Sequence, residues 1–353
     1  MVKKNLFYVF VALSSLGVAY NSEAQGIATD GSNRATTAVP FLSIAPDSRS
    51  GGMGDLGVAT SPDVNSQAHN VAKYAFMKSV GGVSFSYSPW LRNISDDTNI
   101  TYLAGYKKIN DKQGISAALR YFTLGDIKLT NNDNVPMGTE NLYEFSIDLG
   151  YYMQLSEHFA GGVALRYIRS SSGTSDQNVY PGNAFASDIG FYYKTSKETR
   201  DSDETFSAGI SLSNIGSKIS YDNGVNKHNL PTNLGLGANY GYEFNTVNNI
   251  SVGLEFNKLM ASDIDQDISI IKEITTSLGA EYTYNKHLAI RAGYFYESPE
   301  AGNKQYMTLG AGIAVGGFNL DFSYLVALTE NSPLANTLRF TLAFDFGSLK
   351  SRA

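Results

Sequence analysis

The sequence predicts an all-β protein: a transmembrane, antiparallel β-barrel of about fourteen strands that follows an N-terminal plug or hatch segment. Three observations predict this fold. Runs of roughly ten residues alternate between apolar and polar side chains, the number of runs is even, and short turns alternate with long connections. The composition agrees, because the 353 residues include 34 glycines, 23 tyrosines and 19 phenylalanines, and no cysteine.

The start of the chain has the pattern of an export signal. Two lysines precede the apolar run Leu6–Tyr20, and Ser22-Glu23-Ala24 supplies small residues for cleavage. An apolar run of about 15 residues is shorter than the roughly 20 that span a bilayer as a helix. We therefore expect a cleaved signal peptide and a location in the cell outer membrane. The predicted parts are a signal peptide at 1–24, the plug at 25–79, the barrel at 80–347 and a short C-terminal tail at 348–353.

Period-two alternation places one set of side chains on each face of a strand. In the stretch Ile250–Asn257, for example, every second residue is a large apolar one. The predicted strands are 80–88, 99–109, 114–125, 143–156, 159–170, 183–196, 205–221, 230–244, 249–260, 273–285, 288–298, 305–317, 318–328 and 336–347.

Alternation alone does not show whether the polar or the apolar face of the strands points outward. A soluble β-sandwich is therefore the alternative to an outer-membrane barrel. Strands of about 10–13 residues suit a tilted crossing of the membrane and exceed the soluble mode of about 5–6. Tight turns fall near Asn110–Gln113 and Lys286-His287, whereas long polar connections fall at Pro89–Thr98, Asp126–Leu142 and Ala261–Lys272. This alternation of tight turns with long connections favours the barrel, whose partner is outer-membrane lipid.

The composition argues against several functions. With a net charge of −6 and no Lys/Arg cluster longer than two, the chain has no basic stripe for nucleic acid. The lack of cysteine excludes disulfides, cysteine–zinc sites and thiol catalysis, and four scattered histidines offer little for a metal cluster, so no cofactor is predicted. Neither G-x-S-x-G nor H-E-x-x-H occurs, and we predict no enzyme. A hydrolase with a Ser/His pair on the outer wall stays open as a weaker alternative.

If the apolar set faces lipid, the polar set of the strands faces the lumen. That set carries both signs of charge. Mixed signs favour internal ion pairs that stiffen the wall over the single-sign rings of a selective ion channel. The set includes Arg120, Glu144, Asp148, Arg166, Glu255, Glu281, Arg291, Asp321, Arg339 and Asp345.

Residues 25–79 contain none of the alternating strands but hold three prolines and a glycine-rich run. We expect this segment to fold into or under the barrel mouth; a flexible periplasmic tail is the alternative. Within it, Ser66–Phe76 predicts one or two helical turns.

Two motifs resemble ligand sites. Gly52-Met53-Gly54-Asp55-Leu56-Gly57 matches G-x-G-x-x-G, but no βαβ unit surrounds it, which favours a tight backbone turn over dinucleotide binding. Asp263-x-Asp265-x-Asp267 resembles the start of a calcium loop, but Ile268 and Ile274 stand where glycine and glutamate are required. We expect a solvated outer loop there, with loosely bound calcium as the alternative.

The plug segment carries a family resemblance. The segment resembles the PorV family of the type IX secretion system in Phe41–Asp63, which reads FLSIAPDSRSGGMGDLGVATSPD, and in its continuation through Asn70–Phe76. The barrels of that family are related to fourteen-stranded FadL-like proteins. The FadL-like Asn-Pro-Ala motif reads Asn70-Val71-Ala72 here. The candidate plug-motif residues are Pro46, Asp47, Arg49, Gly51, Gly52, Met53, Gly54, Asp55 and Asn70.

The resemblance implies a function that composition does not. PorV-like proteins bind the C-terminal domains of cargo leaving the type IX translocon and deliver the cargo to a sortase-like attachment complex at the cell surface. A FadL-like channel for hydrophobic small molecules, with the plug as hatch, is the alternative. An apolar anchor within a polar rim is typical of a protein-binding surface, although such side chains can also pack on each other. The candidate partner-binding residues of the outer loops are Trp90, Leu91, Val135, Met137, Val179, Tyr180 and Leu334.

Overall fold

The protein is a closed barrel of fourteen antiparallel strands. The computed structural model describes residues 37–91, 97–130, 136–171, 180–199, 202–244, 247–260, 273–329 and 332–347. The strands are β1 (Gly81–Pro89), β2 (Asn99–Lys108), β3 (Gln113–Thr130), β4 (Pro136–Gln154), β5 (Phe159–Ser171), β6 (Gly182–Thr199), β7 (Ser202–Gly216), β8 (Asn233–Phe244), β9 (Asn248–Leu259), β10 (Ile274–Tyr284), β11 (Leu288–Tyr296), β12 (Gln305–Val315), β13 (Phe318–Ala327) and β14 (Leu338–Phe346).

Each strand pairs with the next along the chain, and β1 closes the barrel by pairing with β14. The closing register runs from Gly81 opposite Phe346 to Tyr87 opposite Phe340. Because closure leaves no edge strand, the ladder can satisfy its backbone donors and acceptors inside lipid.

The outward face of the wall is apolar. On β12, Leu309 is 58% exposed, and Met307 and Ile313 are exposed beside it, while the alternate residues Tyr306 and Thr308 are buried. The alternation thus turns its large apolar side chains away from the interior, as a lipid-facing wall requires. The helices of the described ranges are all too short or too polar to cross a membrane.

The two ends of the barrel differ in their connections. The links after β2, β4, β6, β8, β10 and β12 are tight turns, whereas those after β1, β5, β7 and β9 are longer. The start of β1 and the end of β14 lie at the tight-turn end. Short periplasmic turns and longer outer connections are the rule for such barrels, so the tight-turn end faces the periplasm.

Three predicted strand boundaries are wrong: the end of β3, the start of β4 and the end of β7. The expected outer loop Asp126–Leu142 is largely a β-hairpin, because β3 continues to Thr130 and β4 begins at Pro136. A register shift between Thr123 and Gly125, with Gly125 at φ 85°, marks the point where this extension begins. The β4 part of the extension, residues 136–142, has no apolar alternation, so the sequence pattern does not reveal the pairing. Strand β7 ends at Gly216, five residues before the predicted end at 221.

A charged residue on the lipid face tests this orientation. Leu309→Arg, near the middle of β12, is expected to lower the free energy of unfolding in lipid vesicles by about 2–4 kcal/mol, because the guanidinium enters hydrocarbon. Denaturant titration measures this loss. The same substitution at Val225, in the connection after β7, is the control and is expected to cost little. Equal losses at the two positions contradict an outward, lipid-facing Leu309.

Candidate functional site

Residues 37–79 lie inside the lumen and are here called the plug. They contain one α-helical turn, α1 (Ser48–Gly51), and 3₁₀ helices at Pro40–Ser43, Ser66–Ala68 and Val71–Phe76. The plug enters at the outer end, where Ala38 N–H donates to the carbonyl of Asn229 at 3.0 Å. It reaches the periplasmic end at Val80, whose N–H donates to Phe346. The plug therefore spans the barrel from one mouth to the other.

Apolar packing holds both ends of the plug. At the outer end, Phe41 stacks on Phe122 of β3 with ring centres 6.3 Å apart. A buried cluster around this pair fills that part of the lumen. At the periplasmic end, Tyr74 stacks on Tyr106 of β2 at 4.8 Å and contacts Tyr152 of β4 at 5.5 Å. Buried aromatic pairs of this kind fix the plug against β2–β4.

The candidate residues Pro46 and Asp47 directly precede α1. Pro46 is buried, and the Asp47 carboxylate caps the helix by accepting from Ser50 N–H at 2.9 Å. The other Asp47 oxygen accepts from His69 Nε2 at 2.9 Å, which joins two parts of the plug. Burial raises the pKa of the Asp47 carboxyl, but the hydrogen bond and charge of His69 and the bonds from Ser50 hold that pKa below its ordinary value.

Arg49 links the plug to the opposite wall. Its guanidinium donates to Glu281 of β10 from Nε at 3.0 Å and from Nη2 at 2.8 Å, and to Asp63 of the plug at 2.9 Å. Glu281 also accepts from Arg291 of β11, which binds Asp321 of β13, both at 2.6 Å. A chain of alternating charges thus runs from the plug across four strands. Burial lowers the pKa of Arg49, but these carboxylates hold it above its ordinary value.

Asp55 forms the second ionic link. Its carboxylate accepts from Arg339 of β14 at 2.8 Å and from the hydroxyl of Tyr306 of β12 at 2.6 Å. The Arg339 guanidinium also lies 5.7 Å from the ring centre of Trp90, at the outer end of the barrel. One plug carboxylate therefore connects β12, β14 and an outer loop.

The expected lumen set does face inward, and ion pairs occur within it, as between Arg166 and Asp148 at 2.6 Å. Several of its members bind the plug instead. Glu255 accepts from the backbone N–H groups of Gly57 and Val58, both at 2.8 Å. The plug backbone, not only the wall, thus satisfies the luminal charges.

The glycine-rich run packs its backbone directly on the wall. Gly54 has φ 72°, and a Cβ there would lie 2.8 Å from the carbonyl oxygen of Tyr294. Across from it, a Cβ on Gly293 of β11 would collide with Gly54 N, and one on Gly279 of β10 with the Met53 carbonyl. The G-x-G-x-x-G spacing therefore serves a tight turn, as predicted. The turn packs against the wall, where Met53 is fully buried.

The neighbouring glycines are equally confined. A Cβ on Gly51 would collide with the Arg339 side chain, and one on Gly52 would lie 3.0 Å from Gly310 of β12. Side chains at these plug positions would push the plug away from β12–β14.

Asn70 and Lys73 fix the periplasmic half. Asn70 caps the last 3₁₀ helix by accepting from Ala72 N–H at 3.1 Å, and its amide donates to the carbonyl of Phe191 of β6 at 2.9 Å. Lys73 is buried and donates to Gly57 O at 2.7 Å and Thr60 Oγ1 at 2.9 Å. Burial lowers the pKa of its ammonium group.

A cavity of about 480 Å³ opens beneath the plug at the periplasmic mouth. It is lined by residues of the tight turns, such as Lys286 and His287, and by the ionic network of Arg49, Glu281 and Arg291. The cavity is therefore a vestibule bounded by the plug, and its lining is both polar and apolar. Within the described residues, no three histidine or acidic side chains are grouped as a metal site.

Of the seven candidate residues of the outer loops, four have described side chains, and three of these four are packed. Trp90 is only 6% exposed and belongs to the buried outer cluster, which Leu91 and Leu334 also contact. For Trp90 the alternative of a packed side chain holds, because the plug and Arg339 cover its ring. Tyr180 is 36% exposed. Val135 and Val179 lie outside the described residues, as does the side chain of Met137 in β4 and the Asp263–Asp267 loop.

Sequence reasoning missed Val225. It is 81% exposed at the tip of the connection between β7 and β8. Asp222 holds this tip by accepting from Asn226 N–H at 2.8 Å, and a bridge between Ile219 and His228 closes its base. An apolar residue next to Gly224 in a polar loop was the available signal, but it does not distinguish a packed side chain from an exposed one.

The comparisons with known proteins agree with this architecture. The sequence model of the family described as Type IX secretion system protein PorV matches residues 27–265, more than half of the chain. This chain belongs to the PorV family. The match covers the plug and β1–β9, and it makes the protein an outer-membrane component of the type IX secretion system. No curated protein matches the chain significantly.

Solved structures show the fold of this PorV-family chain. Two structures of the toluene transporter TodX of Pseudomonas putida match at 12% identity, with TM-scores of 0.54 and 0.52. They cover 85% and 83% of this chain and 98% and 95% of the TodX chains. The toluene transporter TbuX of Ralstonia pickettii matches at 14% identity with a TM-score of 0.46, covering 85% of this chain and 98% of that chain. The TodX similarity shows a shared FadL-like barrel fold.

The close contact between Gly293 and Gly54 predicts that a side chain at position 293 lowers the free energy of unfolding. In Gly293→Ala the new methyl group meets the plug backbone at Gly54, which the wall prevents from moving, so we expect the free energy of unfolding to fall by about 1–3 kcal/mol. Urea unfolding followed by the fluorescence of Trp90, the single tryptophan, measures it. The control is Gly241→Ala in β8, where the nearest atom to a new Cβ lies 3.8 Å away. A comparable loss in the control contradicts the contact.

The ionic link of Arg49 predicts that removing this side chain allows the plug to open locally. Arg49→Met leaves Glu281 and Asp63 with fewer charge partners, which is expected to cost about 3 kcal/mol and to speed amide exchange in the plug about 100-fold. Hydrogen–deuterium exchange read by mass spectrometry compares plug and barrel peptides. Lys286→Met, which breaks an exposed pair with Glu243, is the control and is expected to leave the plug unchanged. Unchanged plug exchange in Arg49→Met argues against the link.

Proposed function

We propose that this protein is a non-enzymatic carrier within the type IX secretion system. It binds the C-terminal domains of cargo proteins that leave the translocon and delivers them to the sortase-like attachment complex. The chain reaches the outer membrane through a signal peptide that is cleaved after residue 24. The observation that carries the proposal is the PorV-family match over residues 27–265.

The arrangement of the plug supports a role for the surface over one for the bore. The plug is bonded to β10 through Arg49, to β12 and β14 through Asp55, and to β6 through Asn70. A folded cargo protein cannot enter a lumen occupied in this way. The outer connections are then the surface that cargo from the translocon can contact.

We select two exposed apolar side chains of that surface, Val225 and Tyr180, as cargo contacts. Val225 stands on a loop whose hydrogen bonds fix its shape, and Tyr180 N–H donates to Tyr221 O at 2.7 Å, next to the same loop. A fixed apolar side chain among polar neighbours binds a partner without a large ordering cost.

A deletion strain separates this function from that of a channel for hydrophobic small molecules. We expect loss of cargo from the cell surface, its accumulation in the periplasm, and unchanged uptake of an apolar compound. Surface immunoblots and uptake assays measure the two phenotypes. Normal cargo display with failed uptake would establish the channel and overturn the carrier.

Substitutions in the outer loop test the contact itself. The double variant Tyr180→Asp/Val225→Asp is expected to reduce co-purified cargo about tenfold, because charges replace apolar contacts worth roughly 1–2 kcal/mol. Quantitative mass spectrometry after affinity purification measures the loss. Lys112→Asp, in the periplasmic turn after β2, is the control. Undiminished cargo in the double variant, with normal barrel assembly, excludes these two residues as contacts.

A further inference from the structure

An arginine points outward from the barrel wall within a cluster of aromatic side chains. Five rings on β3–β6 form a continuous series, with successive ring centres 5.3–6.4 Å apart. The rings belong to Tyr121, Tyr143, Phe145, Tyr167 and Phe185. Arg169 of β5 lies directly opposite Phe145 of β4 in the ladder. Its neighbours in sequence, Ile168 and Ser170, are fully buried, so the alternation turns Arg169 to the lipid-facing side of the wall.

The height of Arg169 in the wall follows from its position in β5. The strand begins at Phe159, beside the periplasmic turn, and Arg169 follows ten positions later. Ten residues at about 3.3 Å each extend roughly 33 Å along the strand, or about 25 Å along the barrel axis at a tilt of about 40°. Because the apolar band of such barrels is about 25 Å tall, Arg169 lies at its outer edge, level with the headgroups of the outer leaflet.

The contacts of Arg169 on this face are with neutral groups. Its Nη1 donates to Asn183 Oδ1 of β6 at 3.3 Å. The guanidinium also lies within hydrogen-bonding reach of the Tyr143 and Tyr167 hydroxyls. The ion pairs formed between described residues do not include Arg169. A guanidinium carries five N–H donors, more than the three contacts that this face provides.

The carboxylates of the same strands lie elsewhere. Glu144 of β4 and Asp188 of β6 point into the lumen, on the other side of the wall. Asp126 of the β3–β4 hairpin is opposite Asn141, four positions beyond Phe145, which is about 13 Å along β4. Within the described strands, the guanidinium therefore meets the headgroup layer with no carboxylate beside it.

We propose that Arg169, together with Tyr143 and Tyr167, binds the phosphate group of a glycolipid in the outer leaflet. The guanidinium is a planar fork of donors that matches phosphate in geometry and in charge. The tyrosines add hydroxyls at the same height, and their ring bodies and Phe185 contact the apolar part of the lipid. Outer-leaflet glycolipids carry phosphate on their sugar headgroups, directly above their acyl chains. The phosphate of a periplasmic-leaflet phospholipid lies at the opposite edge of the apolar band, too far away to reach Arg169.

Lipid binding is measured first with the purified full-length protein in detergent. Native mass spectrometry follows a titration with diphosphoryl lipid A and with the same lipid after removal of both phosphates. We expect one molecule of diphosphoryl lipid A to bind per barrel. The phosphate-free lipid is expected to bind about tenfold more weakly, because it lacks the charge-assisted hydrogen bonds. Equal affinities for the two lipids overturn the proposal.

A variant tests whether Arg169 is the binding residue. Arg169→Gln removes the charge and is expected to weaken the binding of diphosphoryl lipid A about tenfold. Since the contacts of Arg169 lie on the outer face of the wall, we expect normal assembly, which an unchanged unfolding midpoint verifies. The matched control is Lys258→Gln, which removes an outward-facing cation near the outer end of β9 and is expected to leave binding unchanged. An undiminished affinity in Arg169→Gln, or an equal loss in the control, overturns the proposal.

Inorganic phosphate distinguishes a lipid site from a site for the free ion. It is added to the titration at the same concentration as the lipid, and we expect no competition, because the free ion lacks the apolar part that packs on the rings. Competition at that concentration identifies a site for the free ion and overturns the assignment to a lipid.

Discussion

Every backbone donor and acceptor within the lipid must find its partner in the protein, and the rest of the structure depends on this constraint. Fourteen strands meet it by closing β1 onto β14. Closure then creates a second requirement. The side chains turned away from lipid include charged residues such as Arg166, Glu281 and Arg339, and all three are buried. Buried charges are tolerated only when they are paired and hydrogen-bonded, so the interior must supply what water would otherwise supply.

The plug meets this second requirement. Arg49 supplies a cation to Glu281, Asp55 supplies a carboxylate to Arg339, and the backbone of Gly57 and Val58 binds Glu255. These contacts come from a segment of the chain that is far from β9, β10 and β14 in sequence. Plug and wall are therefore complementary in charge, and each would leave buried charges unpaired without the other. The glycine run adds close steric fit, since its backbone touches β10–β12 where side chains would collide.

The sequence predicts the wall well because period-two alternation is a direct consequence of a two-faced strand. It fails where that cause is absent. The extension of β4, residues 136–142, carries no alternating pattern, and the sequence there is therefore typical of a loop. Trp90 illustrates a second limit: loop composition shows an aromatic residue but not the Arg339 and plug side chains that cover it. The mixed charges of the lumen were recognisable, whereas the pairing of Arg49 with Glu281 depends on contacts between distant segments that no local pattern encodes.

The ionic links also bear on how the protein can work. Removing one partner from a buried pair costs about 3–5 kcal/mol, while a whole domain is stabilised by only about 5–15 kcal/mol. Withdrawing the plug would break the Glu281 and Arg339 links together and expose the aromatic contacts of Tyr74. Such a step would cost a large part of the stability of the fold. Opening a path through the described lumen would therefore cost much free energy, whereas contacts made by the outer loops would leave the plug in place. We therefore propose that this chain uses the barrel fold that it shares with TodX to present a surface and not to conduct a solute.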